Sequence, residues 1–169
     1  MSLEVLRTER LILRHLNEDD APFILELLNE PGFLDNIGDR GVRDLEGARR
    51  YVTEGAGTSY QKYGYGLWAT VLKASGEAIG ICGLVKRDGL EDADIGYAFL
   101  ARSWGRGYAK EAAAAVLDHA QRVIGLTKVV AITTPSNAGS IAVLEKIGLK
   151  FERMIQLPGH DAESSYFTT

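Results

Sequence analysis

Arg102-Ser103-Trp104-Gly105-Arg106-Gly107-Tyr108-Ala109 is the stretch on which the reading of this chain turns. It joins a strand-like run, residues 93–100, directly to the clearest amphipathic helix of the sequence. Two glycines separated by one residue let the backbone turn tightly and aim several N–H groups into one hollow. The helix N-terminus behind them adds partial positive charge, and this combination binds phosphate oxygens. Arg102 and Arg106 are placed to add charge-assisted bonds. Two familiar phosphate loops do not fit. A Walker loop needs lysine and then serine or threonine after its last glycine, where Tyr108-Ala109 stand, and the dinucleotide fingerprint needs a third glycine where Lys110 stands. A short Gly-x-Gly that merely starts a helix is the competing reading.

Working outward, Ala109, Ala112, Ala113, Val116, Leu117 and Ala120 form one apolar stripe, with Gly125 placed to close the helix. Downstream the pattern predicts a strand over 128–133, a helix over 140–147 closed by Gly148, and strands over 151–156 and 165–168. Upstream it predicts strands over 67–72, 78–85 and 93–100, joined by turns at 74–77 and Asp88-Gly89 and paired antiparallel. Before these, residues 10–14 alternate as a strand. Asn17 precedes an acidic first turn and an apolar face of Phe23, Ile24, Leu27 and Leu28, a helix that Pro31-Gly32 is expected to end. Residues 35–41 read as loop, Asp44 caps a second helix, and Gly55 and Gly57 leave its end open. The order predicts one α+β domain over 1–169, a mixed central sheet flanked by helices.

Composition narrows the function. With 169 residues, 46% of them apolar, the chain can bury a core without staples. No apolar run approaches the roughly 20 residues that span a bilayer, and the stretch from Met1-Ser2-Leu3 onward lacks the basic-then-apolar pattern of a signal peptide. The single cysteine, Cys82, excludes an internal disulfide and predicts a cytoplasmic setting. A net charge of −4 without a basic block argues against nucleic acid. His15, His119 and His160 lack ligand spacing, so no metal is expected.

Around the glycine loop stand Asp94-Ile95-Gly96-Tyr97-Ala98-Phe99-Leu100, Pro135-Ser136-Asn137-Ala138-Gly139-Ser140 and Glu145-Lys146-Ile147-Gly148-Leu149. In this order and spacing they resemble the GNAT superfamily of acetyl-coenzyme A-dependent acyltransferases. The superfamily's pyrophosphate signature, Arg/Gln-x-x-Gly-x-Gly/Ala, is matched by Arg102, Gly105 and Gly107. The opening Thr8-Glu9-Arg10-Leu11-Ile12-Leu13-Arg14, with Ile79-Gly80-Ile81-Cys82-Gly83 and Ile95-Gly96-Tyr97, is similar to the ribosomal-protein N-terminal acetyltransferase branch, of RimJ/RimL type.

The resemblance implies a GNAT-like sheet split between its fourth and fifth strands, counted from residues 10–14, with the pantetheine arm of acetyl-CoA in the opening. It implies cofactor contacts at Phe99 and Leu100, along the loop from Arg102 through Trp104, Gly105, Arg106, Gly107, Tyr108 and Ala109, and at Asn137 and Ser140. A backbone N–H near Tyr97 or Ala98 would receive the thioester carbonyl as charge develops; a continuously paired strand would offer nothing. Asn137 reads equally as a helix cap. Ser140 would pass a proton to the departing thiolate. Many relatives place a tyrosine later on that helix for this task, where this chain has Leu144, which leaves Ser140 or a water. A free thiol has a pKa of about 8.5, so the need is mild. Asp94 stands where several relatives carry a glutamate base, against the plainer reading of a solvated strand-end carboxylate; another base position of the family is Ile132 here. Residues 32–66 should shape the acceptor site, and Tyr60, Tyr63 and Tyr65 either line it or pack at the surface. The resemblance implies transfer to a primary amine, with a protein or peptide N-terminus as the expected acceptor and a small amine as alternative; a non-catalytic acyl-CoA sensor is the reading from another class. Family habit implies a monomer or homodimer.

Overall fold

A computed structural model describes residues 3–169; Met1 and Ser2, part of the segment read above as no signal peptide, lie outside the described residues. Strands β1 (Glu4–Arg7) and β2 (Leu11–Arg14) precede four short helices, α1 (Ala21–Leu28), α2 (Pro31–Asn36), α3 (Leu45–Arg50) and α4 (Thr58–Tyr63). Then come β3 (Leu67–Leu72), β4 (Ala78–Val85), β5 (Asp94–Phe99), α5 (Tyr108–His119), β6 (Val130–Thr133), α6 (Ala138–Lys146), β7 (Lys150–Ile155) and β8 (Ser164–Thr168). They form one eight-stranded sheet in the order β1-β2-β3-β4-β5-β6-β8-β7. Every neighbouring pair is antiparallel except β5–β6, which is parallel and touches only at Asp94 opposite Val130. The sheet opens where the resemblance placed the split.

Strand alternation sorts the core into two layers. Leu11, Leu13, Trp68, Ile79 and Leu84 face α5 and α6. Ala69, Val71, Ile81 and Leu100 face α1 to α4, against Ile24, Leu27 and Ala48. β4 is buried on both faces along residues 79–84, which explains two of its glycines. A Cβ on Gly83 would stand 2.0 Å from the Gly66 carbonyl oxygen, which accepts a hydrogen bond from Leu84 N–H. Backbone, not a flexible tip, occupies that space. Gly83→Ala is therefore expected to destabilise the fold by about 3 kcal/mol, the upper part of the overpacking range, read as a lowered urea midpoint.

Local rules explain where the structure departs from the sequence reading. β1 was not foreseen; it is a four-residue edge strand with Glu4 and Arg7 exposed and joined in an ion pair, so it carries little apolar signal. Pro31 does not end the first helix. α1 stops at Leu28, and Pro31 stands in the first turn of α2, where its missing N–H has no partner to lose. That makes residues 35–36, read as loop, helical. Gly55 and Gly57 do not end the second helix either. Residues 51–57 continue as a wide i→i+5 turn into α4, held by the buried Val52 and Ala56. Asn17 and Asp44 cap as read, Asp44 Oδ1 accepting from Gly47 N–H at 2.7 Å. Among the described residues no helix is long and apolar enough to cross a membrane.

Candidate functional site

The site begins with unpaired strand edge. Val130 N–H donates to the Ala93 carbonyl at 3.0 Å, and beyond that point β6 turns to β8. On the other side of β5, Leu100 N–H donates to the Ile79 carbonyl at 2.8 Å. Antiparallel pairing alternates, so Ile95, Tyr97 and Phe99 direct their backbone groups away from β4 and into the opening. The Phe99 carbonyl there accepts from Trp104 Nε1 at 2.8 Å. The N–H groups of Tyr97 and Phe99 face the opening, where β6 has already diverged. Of the two N–H groups named from sequence, that of Tyr97 faces the opening, whereas the Ala98 N–H belongs to the ladder with Ile81. A cavity of about 560 Å³ fills the split.

One wall belongs to the α5–α6 face. Tyr97 reaches across the opening and its hydroxyl lies 3.0 Å from Ser140 Oγ. Burial pushes the Tyr97 phenol up to about 12, against the lowering effect of the Ser140 hydrogen bond, so it is protonated at neutral pH. Asn137 Oδ1 accepts from Ser140 N–H at 3.2 Å, capping α6, and Asn137 also lines the cavity. Leu144 is a buried apolar part of the same wall.

The glycine loop closes one end. Gly105 and Gly107 have φ of 76° and 82°, the left-handed region that favours glycine. Gly107 is the N-cap of α5 and no side chain caps it. The first intrahelical bond runs from Glu111 N–H to the Gly107 carbonyl at 3.1 Å, which leaves the preceding N–H groups without helical acceptors. Arg10 clasps the loop from beneath. Its Nε meets Glu111 Oε1 at 2.7 Å, its Nη1 meets the Arg106 carbonyl at 3.0 Å, and its guanidinium lies 4.4 Å over the Tyr108 ring. Thr8 Oγ1 and Arg10 N–H both donate to Glu111 Oε2. Sequence reasoning missed this clasp, because its partners lie 101 residues apart.

Two loop and strand residues, Arg102 and Leu100, sit differently from their sequence reading. Arg102 is engaged by two carboxylates, Glu26 at 2.6 Å and Glu77 at 3.3 Å, and ties the loop to α1 and the β3–β4 turn. Arg106 forms no ion pair among the described residues and is exposed. Leu100 is fully buried in the layer of α1 and α3, is not part of the cavity wall, and spends its N–H on β4. Trp104 is 55% exposed and lines the cavity with its ring against Gly32. Phe99 and Ala109 also line it.

The opposite wall carries the charge. Asp94 is 1% exposed and bonded by Arg87 Nε. Burial raises its carboxyl and the Arg87 charge opposes, leaving it at about 6. It is therefore no solvated strand end. Gly96, next on this face of β5, leaves the floor bare. Tyr51, Arg40 and His160 complete this part of the wall. Burial raises the Tyr51 phenol, and the positive charge of Arg40 opposes that rise. Tyr60, Tyr63 and Tyr65 lie elsewhere. Tyr60 is a tie, accepting from Leu16 N–H at 3.0 Å and donating to the Leu67 carbonyl, while Tyr63 stacks on Tyr65. Cys82 is buried and burial raises its thiol, so it is no nucleophile. Among the described residues no three His, Cys, Asp or Glu side chains are placed to hold a metal ion.

Comparison with known proteins agrees with this geometry. Residues 10–150 match the family described as Acetyltransferase (GNAT) domain. The protein YkkB of Bacillus subtilis (strain 168) is 35% identical over 155 residues, covering 89% of this chain and 88% of its own. The crystal structure of the acetyltransferase from Agrobacterium tumefaciens str. C58 superposes with a TM-score of 0.84 at 29% identity, covering 100% of this chain and 95% of that one. The fold is also that of the ribosomal-protein-S5-alanine acetyltransferase from Vibrio fischeri, with a TM-score of 0.79 at 18% identity, covering 100% of this chain and 96% of that one.

Proposed function

The chain belongs to the GNAT acetyltransferase family, and from that premise we propose that it moves an acetyl group from acetyl-coenzyme A to a primary amine by direct attack, both substrates bound together. The observation that carries the reading is the opening between β5 and β6, with bare backbone N–H groups on its edge, a glycine loop at one end and a buried acid in its wall. The N–H groups from Gly105 to Ala109, with Arg106, hold the pyrophosphate. Phe99, Trp104 and Asn137 flank the pantetheine arm, and Arg102 holds the loop in place through Glu26 and Glu77.

The chemistry follows from the residues. Asp94, ionised above about pH 6, removes one proton from the ammonium, directly or through water. The freed lone pair forms the C–N bond, and the carbonyl pair moves to oxygen, where Tyr97 N–H receives the charge. Collapse of that oxyanion breaks the C–S bond, and sulfur leaves with the electron pair. Ser140 Oγ–H protonates the thiolate and Tyr97 O–H, 3.0 Å away, replaces that proton. The second amine proton, acidic once the C–N bond exists, restores the pair through solvent. Tyr97 thus supplies from β5 the phenol that Leu144 lacks on α6. Ser140→Ala and Tyr97→Phe should each lower kcat about tenfold, below the usual general-acid range because a thiolate leaves readily. The double variant should be little worse than either, since the two act as one relay. Unchanged turnover in both would assign the proton to water.

The acceptor that the N-terminal motif resemblance and the Vibrio fischeri neighbour support is a protein or peptide N-terminus; a small amine is the alternative. We place the enzyme in the cytoplasm, as a monomer or homodimer. Calorimetric titration with acetyl-coenzyme A, beside ATP and NAD, tests the reading. Binding of acetyl-coenzyme A alone, followed by thiol release in an amine screen, is expected. Binding without release on any amine would favour a sensor, and no binding would remove the basis for transfer.

A further inference from the structure

Among the described residues Asp94 is the one carboxylate in the cavity wall, and Arg87 already pairs with it. Arg40 is different. Its neighbour Asp39 is turned away, bonded to Arg43 at 2.6 Å and to Gly41 N–H at 2.8 Å. Val42, on the same loop, is held through its carbonyl by Asn29 Nδ2 at 2.9 Å. The loop is thus pinned from both sides, and Arg40 reaches the cavity with no ion pair among the described residues. Tyr51 lines the same wall, and the Arg40 charge favours the ionised form of its phenol against the opposing effect of burial. Counting the Arg87–Asp94 pair as neutral, the acceptor wall keeps one positive charge beside a hydroxyl donor. A guanidinium fork and a phenol match a carboxylate, and they disfavour a polycation.

We propose that Arg40 and Tyr51 form an anion-binding clamp in the acceptor chamber, so that the amine acetylated here also carries a carboxylate. The proposal rests on the transferase reading above and names its acceptor class. The carboxylate belongs either to a small amino acid or to an acidic residue near a peptide N-terminus.

The test is acetyl-coenzyme A-dependent thiol release by the full chain on matched acceptors. α-Amino acids and γ-aminobutyrate run against their carboxamides. C-terminally amidated Ala-Asp-Glu-Ala-Ala runs against amidated penta-alanine, and spermidine serves as the polycation. The carboxylate member of a pair is expected to lead by about 10- to 100-fold in kcat/KM, the value of a charge-assisted bond pair. A lead in the first set assigns a small amino acid; a lead in the second assigns a peptide. In Arg40→Gln the lead should vanish through acceptor KM, with the KM for acetyl-coenzyme A within about twofold, and Tyr51→Phe should shrink it. Carboxylates no better than amides, spermidine as the best acceptor, or an undiminished lead in Arg40→Gln would each overturn the clamp and leave transfer standing. Absence of acetyl-coenzyme A binding, measured separately by calorimetry, would overturn the transferase reading and the clamp with it.

Discussion

Gly107→Val is expected to weaken acetyl-coenzyme A binding by at least about 100-fold while the protein still melts cooperatively. The φ of 82° at this position costs a side-chain-bearing residue roughly 1–2 kcal/mol, and a β-branched one more. Relaxing that strain rotates the peptide planes on either side and turns the N–H groups of the loop out of their shared hollow. The new Cβ would also stand 3.4 Å from Arg10 Nη2, so its branches push the guanidinium off the Arg106 carbonyl and the Tyr108 ring. Affinity should suffer more than stability, since α5 keeps the buried Ala112, Ala113, Val116 and Leu117 that hold it to the sheet. Arg10→Met keeps the glycine and removes only the clasp; about tenfold weaker binding is expected there. Calorimetry and a thermal melt of the three proteins decide the matter. Normal affinity in Gly107→Val would mean that the loop starts a helix and holds no pyrophosphate.

The second large effect is at Asp94. Asp94→Asn should lower kcat/KM by about 10²–10³, within the span of a general base, and should erase an inflection near pH 6 in the rate profile. The parent's activity rises with pH through about 6 because the buried carboxyl must lose its proton before it can take one. Arg87, Arg40, Tyr51 and His160 share the wall with it. Arg87→Met removes the charge that favours the ionised form, so the inflection moves to higher pH and the rate loss is largest below pH 7. His160→Gln should leave the inflection in place. An inflection that survives in Asp94→Asn would reduce Asp94 to a strut for Arg87. Stability carries the same signature with a definite sign. The folded carboxyl sits above its ordinary 3.8, so the native state holds this proton more tightly than the unfolded chain does. Its contribution is fully present below about pH 4 and is lost as pH climbs through about 6. Across that window the melting temperature of the parent should fall relative to that of Asp94→Asn.

Local pattern read well wherever its cause is local. The bounds of β3 and β4 follow from alternation and turns, α5 and the wide i→i+5 turn over Ala120–Ile124 that carries it to Gly125 from the apolar stripe and that glycine, and the caps at Asn17 and Asp44 from residue type. Where local signals compete, reading by residue type failed: Pro31 opens a new helix where it was read as ending one, and packing of Val52 and Ala56 carries the helical path through Gly55 and Gly57.

The site divides along the same line. By itself the sequence determined the α+β order, the glycine loop with its helix behind it, and the motifs that resemble an acetyl-coenzyme A enzyme, because each of these is written within a few neighbouring residues. Only the tertiary structure decided that Arg102 is tied up by Glu26 and Glu77, that Arg10 meets Glu111, that Tyr97 meets Ser140 across the split, that Leu100 faces away, and that Arg40 enters the cavity with no carboxylate partner among the described residues. The reason is physical. Periodicity sets which face of its own element a side chain occupies, but the partner it meets there depends on strand register and chain crossovers, which are settled by packing of the whole sheet.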